Sequence, residues 1–374
     1  MSISDSVLKN YERAIFSLRE LYGRYGYNRY KVSKFEEYDL YARNKSFLIS
    51  ENILTFTDTD GRLLALKPDV TLSIVKNLED IEYGTHKICY NENVYRTSSA
   101  ADGFREIVQT GLECIGRLDL YSVCEVITLA QKSLDMISRE NILDISHMGF
   151  LAGFMEELCL DGADADLLLE LIGHKNIPAI KALCERVGVS KKDTDDIATI
   201  TGLYAPISEA LALIGDMVRG EKMREAYEEL CAICDMLSES GDVDRIMLDF
   251  STVNDMSYYN GIIFKGFVNG IPDSILSGGR YDSLMKKMGK RSGAIGFAVY
   301  LDMLDRLDSG ALSYDVDTVL LYDDNSDMKL LAREAERQRA EGRTVKTEYK
   351  STNVRYRALL RVTERGVHTL EEND

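Results

Sequence analysis

The sequence predicts an α+β fold in which an antiparallel sheet flanked by helices is interrupted by a helical insertion and followed by a small C-terminal α/β unit. Three observations support this prediction. Apolar and polar residues alternate in residues 87–96 and 104–116, which is typical of paired strands. Apolar residues recur at helical spacing throughout residues 150–240. Beyond residue 315, short apolar runs alternate with charged helical patterns.

The first part of the chain begins with an amphipathic helix and leads into the paired strands. Apolar residues in 7–25 recur at steps of three and four, which predicts a helix of about five turns. Residues 63–66 are predicted to form a strand. Asp69 is placed to cap a helix that starts near Thr71, because a carboxylate can accept from the free N–H groups there. A further helix is expected over residues 119–140.

The β-rich pattern returns after the helical segment. Strands are predicted for residues 245–250 and 258–268, and Asn269-Gly270 is a strong hairpin signal. Residues 277–282 (SGGRYD) are interpreted as a tight turn that carries an Arg–Asp pair. A last strand and helix are expected in residues 294–307.

Four segments follow from this pattern. Residues 1–149 form the first half of the core, and residues 150–242 form the helical insertion. Residues 243–310 form the second half of the core. Residues 316–374 form a small β-α-β-α tail, whose size is near the lower limit for an independent core.

Charge and composition narrow the function classes. The 374-residue chain has a formal net charge of −17, which disfavours broad binding to nucleic acid. The sequence contains no secretory signal pattern and no apolar run long enough to span a membrane. Seven scattered cysteines fit a reducing cytoplasm. Residues 324–365 are locally basic, with eleven Lys/Arg against seven Asp/Glu, which favours a solvated helix face over a docking patch for an acidic partner.

One face of a predicted strand carries the candidate site. Alternation places Gln109, Gly111 and Glu113 on the same side, where the glycine would leave room for a small ligand. An ordinary solvated sheet face explains the same pattern, and both interpretations stay open at this point. The Tyr258-Tyr259 pair is open to two interpretations in the same way, as packing residues or as hydroxyl donors. No phosphate loop, metal-ligand spacing or nucleophile motif is present, and the single CxxC segment, 231–234, is more typical of core cysteines.

Several of these segments occur in the order in which they occur in the histidyl-tRNA synthetase family, a class II aminoacyl-tRNA synthetase family. The chain resembles that family over about residues 5–307. The segments that carry the resemblance are 66–71 (LKPDVT), 94–96 (VYR) with 104–116 (FREIVQTGLECIG), 254–259 (NDMSYY), 277–282 (SGGRYD) and 296–304 (GFAVYLDML). The resemblance implies a dimeric protein built on an antiparallel sheet of six or seven strands.

Charged residues that the synthetase family uses in catalysis are missing. The motif 3 arginine falls at Met303, and the adenine-reading carboxylate of motif 2 falls at Ser98. The arginine and aspartate of the histidine loop fall at Asn254 and Ser257. No motif 1 proline occurs near Val32. Because amino-acid adenylation needs a positive clamp on the phosphates, we expect no synthetase activity.

The resemblance assigns the amino-acid end of the site to an L-histidine pocket. Its residues are Asp69, Thr71, Arg96, Gln109, Glu113, Tyr258 and Tyr259. By this resemblance, Asp69, Thr71 and Gln109 would hold the α-amino group. Glu113 and either tyrosine would face the imidazole ring.

The retained pocket, the lost arginines and the helical segment together resemble the regulatory subunits of ATP phosphoribosyltransferase. That family implies a non-catalytic role in the first step of L-histidine biosynthesis. The expected partner is a short catalytic subunit that needs this chain for activity, the effector is L-histidine, and the assembly is a homodimer within a hetero-oligomer. No cofactor and no metal are implied. The alternative is a paralogue that binds tRNA, other RNA or another ligand, with the tail as a shortened anticodon-binding domain.

Overall fold

A computed structural model describes residues 8–48, 52–81, 83–98, 101–239, 243–253, 258–307 and 314–373. The chain divides into two compact units, Met1–Leu307 and Asp308–Asp374. No helix in the described ranges has the length and apolarity needed to cross a bilayer.

The strands of the large unit form one extended sheet and one small sheet. They are β1 (Asn28–Arg29), β2 (Phe35–Glu37), β3 (Thr55–Thr57), β4 (Leu63–Leu66), β5 (Thr85–Ser98), β6 (Ala101–Gly116), β7 (Asn141–His147), β8 (Ala205–Pro206), β9 (Ile246–Leu248), β10 (Ile262–Val268), β11 (Leu276–Arg280) and β12 (Gly293–Tyr300). The extended sheet has the order β1-β5-β6-β12-β11-β10-β7-β9-β8, and β2-β4-β3 form the small sheet.

The extended sheet is mixed, which corrects the prediction of a purely antiparallel one. Its central pairs are antiparallel, but β1 pairs with β5 and β7 pairs with β9 in parallel. Each parallel pair joins strands separated by other elements, as a parallel arrangement requires. The alternation of apolar and polar residues predicts where strands form, but it does not predict which strands pair with each other.

The helices of the large unit cover both faces of this sheet and supply the insertion. They are α1 (Asn10–Arg24), α2 (Tyr38–Arg43), α3 (Thr71–Asn77), α4 (Leu120–Ile137), α5 (Met148–Glu157), α6 (Gly162–Gly173), α7 (Ile177–Val187), α8 (Lys191–Gly202), α9 (Ile207–Ile214), α10 (Gly220–Ser238) and α11 (Asp282–Lys287). The predicted insertion, residues 150–242, contains most of α5 and all of α6 to α10. Pro178 lies in the first turn of α7 and Pro206 precedes α9, which are positions where proline costs no helical hydrogen bond.

The two faces of the sheet bury different clusters. Helices α1 and α4 pack on one face, where Leu112 and Cys114 of β6 join a large apolar core. On the opposite face, Ile115 of β6 and Tyr90 of β5 pack with α3 and α11 in a second cluster. The predicted alternation along residues 104–116 is therefore confirmed, and the candidate site lies on the second face.

The tail folds as a helix on a four-stranded sheet. It contains β13 (Val316–Tyr322), α12 (Met328–Ala340), β14 (Val345–Tyr349), β15 (Tyr356–Thr363) and β16 (Gly366–Glu372), in the sheet order β14-β13-β15-β16. The prediction of a final helix was wrong, since β15 and β16 form an antiparallel hairpin. A positive φ at Gly366, in the turn between the two strands, is a conformation that a glycine adopts at low cost and that a continuing helix would not contain.

Candidate functional site

The seven residues predicted to form a ligand pocket line one cavity of about 430 Å³. The cavity lies against the second face of the extended sheet, between β6, β12, β11 and β10 and the start of α3. The structure thus brings together residues that are separated by up to 190 positions in the sequence.

Two glycines open the sheet surface beneath the cavity. Gly111 of β6 pairs with Ala298 of β12, and Glu113 pairs with Gly296. A Cβ atom on Gly296 would lie 1.8 Å from Glu113 Oε2, and one on Gly111 would lie 2.2 Å from the Phe297 carbonyl oxygen. Glycine at 296 therefore lets the Glu113 carboxyl group lie against β12, and glycine at 111 leaves room for the Phe297 carbonyl oxygen and the Tyr90 hydroxyl.

Glu113 is a buried acid of the cavity with a strongly raised pKa. Its side chain is buried, with Oε1 2.8 Å from the Thr71 hydroxyl and Oε2 2.5 Å from the Tyr281 hydroxyl. Burial raises the pKa of Glu113 to about 8, although these two hydrogen bonds lower it, and the nearby Asp69 raises it further. With this pKa, Glu113 is mainly neutral at pH 7.

The start of α3 supplies a second acid. Asp69 Oδ1 accepts a hydrogen bond from the Leu72 backbone N–H at 2.8 Å, so the predicted capping contact is present. Burial raises the pKa of Asp69, while the Arg96 guanidinium, whose Nη2 lies 4.0 Å from Oδ2, lowers it. Arg96 also donates from Nε to the Pro68 carbonyl oxygen at 2.7 Å. The cation of motif 2 is thus fixed against the α3 segment.

Gln109 offers an unused donor. Its side chain is 2% exposed, and its Nε2 has no hydrogen-bond partner within the described part of the chain. A buried amide N–H without an acceptor is costly, and it marks a point where a polar ligand atom would be stabilising.

Aromatic side chains form the remaining wall. The Tyr258 ring lies 4.5 Å from Tyr259, 5.8 Å from Phe47 and 5.9 Å from Tyr281, measured between ring centroids. Burial raises the pKa of each of the three tyrosines well above 10, so their hydroxyls stay neutral. Such a wall suits a flat ring that also needs hydrogen-bond partners.

Some cavity residues were missed in the sequence. Tyr281 lies in the 277–282 segment, which was interpreted as a tight turn. Most of that segment is strand β11, because Gly278 and Gly279 pair with β10 and β12. The predicted Arg–Asp pair is present, with Arg280 Nε 2.8 Å from Asp282 Oδ2. Lys265 of β10 also lines the cavity and was not singled out.

The structure locates some of the lost catalytic positions. Met303 lies in a 3-10 segment, Leu301–Leu307, and packs against the large core, where a thioether brings no charge. Asn254 and Ser257 lie outside the described residues. Across the described ranges, no group of His, Cys, Asp or Glu is placed to hold a metal ion. Cys231 and Cys234 are free thiols on α10.

Sequence comparison identifies the relatives of this chain. The histidyl-tRNA synthetase family model matches residues 3–304. The ATP phosphoribosyltransferase regulatory subunit of Clostridium kluyveri is 32% identical over 293 residues, which cover 76% of this chain and 74% of that protein. The regulatory subunit of Clostridium botulinum (strain 657) is 29% identical over 314 residues, which cover 81% of this chain and 74% of that protein.

Solved structures show the same fold. A Bacillus halodurans protein described as an ATP phosphoribosyltransferase regulatory subunit/histidyl-tRNA synthetase has a TM-score of 0.75 at 24% identity, covering 95% of this chain and 94% of that chain. A chain of an ATP phosphoribosyl transferase complex from Thermotoga maritima has a TM-score of 0.61 at 19% identity, covering 78% of this chain and 97% of that one. The predicted class II synthetase-like fold is confirmed. The chain belongs to the ATP phosphoribosyltransferase regulatory subunits, within the histidyl-tRNA synthetase family.

Proposed function

We propose that the cavity is the effector site of this regulatory subunit and that its effector is L-histidine. The observation that carries the proposal is the buried Glu113, held between two hydroxyls beside an unpartnered Gln109 amide. Polar groups of this kind are retained in a core at a cost, and a small polar ligand would offset that cost.

Each part of L-histidine has a complementary group in the cavity. The imidazole ring would lie against Tyr258 and Tyr259, with one ring N–H hydrogen-bonded to Glu113. The α-ammonium group would be held by the Asp69 carboxylate, with Thr71 close by. The cavity volume of about 430 Å³ is ample for an amino acid and lies within the usual range for small-molecule sites.

The same cavity lacks a group that adenylation would need. The motif 3 position is occupied by Met303, and Arg96 is already bonded to the Pro68 carbonyl oxygen and close to Asp69. A site with acids for the amino acid but a reduced cationic clamp favours reversible binding over phosphate chemistry. This is what a regulatory subunit requires.

We also propose that the chain acts through a short catalytic subunit, which it activates and which it inhibits when L-histidine is bound. Inhibition follows if L-histidine binds one state of the complex more tightly than another. The chain would act as a homodimer within this hetero-oligomer. Free thiols at all seven cysteines agree with a cytoplasmic location.

A reconstitution assay tests this function. The chain is mixed with a short-form ATP phosphoribosyltransferase catalytic subunit, and phosphoribosyl-ATP formation is followed with and without L-histidine. We expect the chain to raise the rate and L-histidine to suppress it. Gln109→Ala and Glu113→Ala should relieve the inhibition, whereas Glu336→Ala, on the exposed face of α12, should not.

The proposal fails if the two proteins neither associate nor change the rate. It also fails in its effector part if activation occurs but L-histidine has no effect at any concentration up to about 10 mM, because such weak binding would give less than about 3 kcal/mol.

The charge arrangement of the tail disfavours the alternative function of RNA binding. Several of its basic side chains are paired with acids on the same unit: Arg337 with Glu334 and Glu341, Arg339 with Glu336, and Lys350 with Asp324. Each pair reduces the field that would attract phosphates. We propose that the tail is a shortened anticodon-binding domain that no longer binds tRNA, and a gel-shift titration with tRNA at two salt concentrations tests the loss of binding.

A further inference from the structure

We propose that Lys265 holds the carboxylate of the effector, in place of the arginine that the synthetase family has at Asn254. The proposal deepens the effector function above and rests on it. Lys265 lies on β10 and lines the same cavity as Glu113 and Asp69. Nothing in the sequence pattern marked it, because its position relative to the other residues depends on the order of the strands.

The sheet register places Lys265 across the cavity floor from the acids. A row of residues on adjacent strands runs from Gly111 to Ala298, Ser277 and Lys265. Three strand spacings separate Gly111 from Lys265, which is roughly 14 Å. The two residues between them in this row, Ala298 and Ser277, have small side chains. A lysine side chain that reaches inward along this floor can meet a ligand that contacts Glu113 at its other end.

Lys265 is a cation without a partner close enough for an ion pair. In the described ranges it forms no hydrogen bond and no ion pair within 4.0 Å. The other cation that lines the cavity, Arg96, is bonded to Pro68 and lies beside Asp69. Burial lowers the pKa of Lys265, and the more distant Asp144 and Asp249 raise it. A half-buried ammonium in this setting gains from an anion that enters the cavity.

The ligand geometry fits this assignment. L-Histidine carries an imidazole ring, an ammonium group and a carboxylate. The cavity has Glu113 for the ring and Asp69 for the ammonium group, but neither acid can bind a carboxylate. The carboxylate must therefore face a donor. Lys265 supplies the charge, and the unpartnered Gln109 Nε2 is a second donor on the same face of the sheet.

Calorimetric titration of the full chain with two ligands tests the proposal. L-Histidine carries the carboxylate, and L-histidinamide has the same shape without the charge. Lys265→Met should weaken binding of L-histidine by about tenfold to a hundredfold. It should change binding of L-histidinamide by less than about twofold. The matched control is Lys222→Met, which removes a lysine on α10 and should affect neither ligand.

The outcomes separate this proposal from the effector function. If the wild-type chain binds L-histidine and Lys265→Met binds both ligands as well as wild type, or loses both equally, the carboxylate assignment is overturned while the effector site stands. If the wild-type chain does not bind L-histidine, both the carboxylate assignment and the proposed effector function are refuted.

Loss of Lys265 removes a positive charge near the Asp144 and Asp249 carboxylates, and this lowers the stability of the single variant. If it does not fold, the double variant Lys265→Met, Asp144→Asn removes one charge of each sign and should show the same selective loss of L-histidine binding. Lys265→Arg, which keeps the charge, should retain the preference for L-histidine over L-histidinamide.

Discussion

Protonation of Glu113 should set the pH range over which the cavity binds L-histidine. Burial raises the pKa of this carboxyl group to about 8, and the pKa of an unperturbed imidazole is about 6.5. Between these two values, the empty site and the free ligand together carry one proton. The complex also carries one proton, shared between Glu113 and the ring. Binding should therefore be independent of pH in this window.

The two limbs of the profile have opposite signs. Above about pH 8, both separate partners have lost the proton, so binding must take one up and weakens by about tenfold per pH unit. Below about pH 6.5, both are protonated, so binding must release one proton and weakens by the same factor. From pH 7 to pH 9, the neutral fraction of an acid with a pKa of about 8 falls from about nine-tenths to about one-tenth, which gives about a tenfold loss of affinity.

The variant Glu113→Gln isolates this effect. Glutamine fits the same space between Thr71 and Tyr281 but does not titrate, so the alkaline limb due to the site should vanish. Titration of the ligand ammonium group affects both proteins equally and cancels when their dissociation constants are divided. That ratio should change about tenfold between pH 7 and pH 9.

Calorimetry in two buffers of different ionisation enthalpy measures the affinity and the protons exchanged. We expect uptake of about one proton per site at pH 9 for the wild type and none attributable to the site for Glu113→Gln. Parallel profiles for the two proteins above pH 8 would show that Glu113 does not share a proton with the ligand, and the reasoning would be wrong.

Three further predictions concern stability. Gly296→Ala places a Cβ 1.8 Å from a carboxyl oxygen and should cost about 1–3 kcal/mol of unfolding free energy, whereas Gly202→Ala, with only a contact at 3.7 Å, should cost less than about 0.5 kcal/mol; urea titration compares them. Lys67→Met breaks an ion pair in which the lysine side chain is 1% exposed and should cost about 3 kcal/mol, while Arg24→Met breaks a pair with a 72% exposed arginine and should cost less than about 0.5 kcal/mol; thermal unfolding tests this contrast. Burial and the neighbouring Asp249 carboxylate raise the pKa of Asp144 to about 6, above the value of about 4 in the unfolded chain, so its ionisation removes stability as the pH rises between these two values; Asp144→Asn should therefore raise the melting temperature most at pH 8, less at pH 5 and hardly at all near pH 3.5.

Periodicity was sufficient to place two of the candidate residues on one face of β6, but it left open whether that face binds a ligand. Residues of β6 alternate between the two faces, so the sequence placed Gln109 and Glu113 together without knowledge of any other strand. The resemblance to the synthetase family then added Asp69, Thr71 and the tyrosine pair, which the structure brings to the same cavity.

Residues that depend on strand order could not be predicted in this way. Tyr281 reaches Glu113 because β11 lies two strands from β6, and Lys265 reaches the cavity because β10 comes next. No local pattern reports such neighbours. The tail failed for a related reason: the segment of β15 contains good helix formers such as Ala358 and Leu359, and pairing with β13 and β16 overrides that preference.

The position of Lys265 connects the cavity to the helical insertion. On its far side, the lysine lies opposite Asp144 on β7, and Asp144 accepts a hydrogen bond from Tyr204 at 3.2 Å. Asp249 is held by Lys175 at 3.0 Å, and both Lys175 and Tyr204 belong to the insertion. A carboxylate bound at Lys265 would compete with these two acids for the same cation and would add a negative charge beside them. Ligand binding would then change the strength of the Tyr204–Asp144 and Lys175–Asp249 contacts that join the insertion to the sheet. This coupling is a physical basis for transmitting the effect of the ligand beyond the cavity.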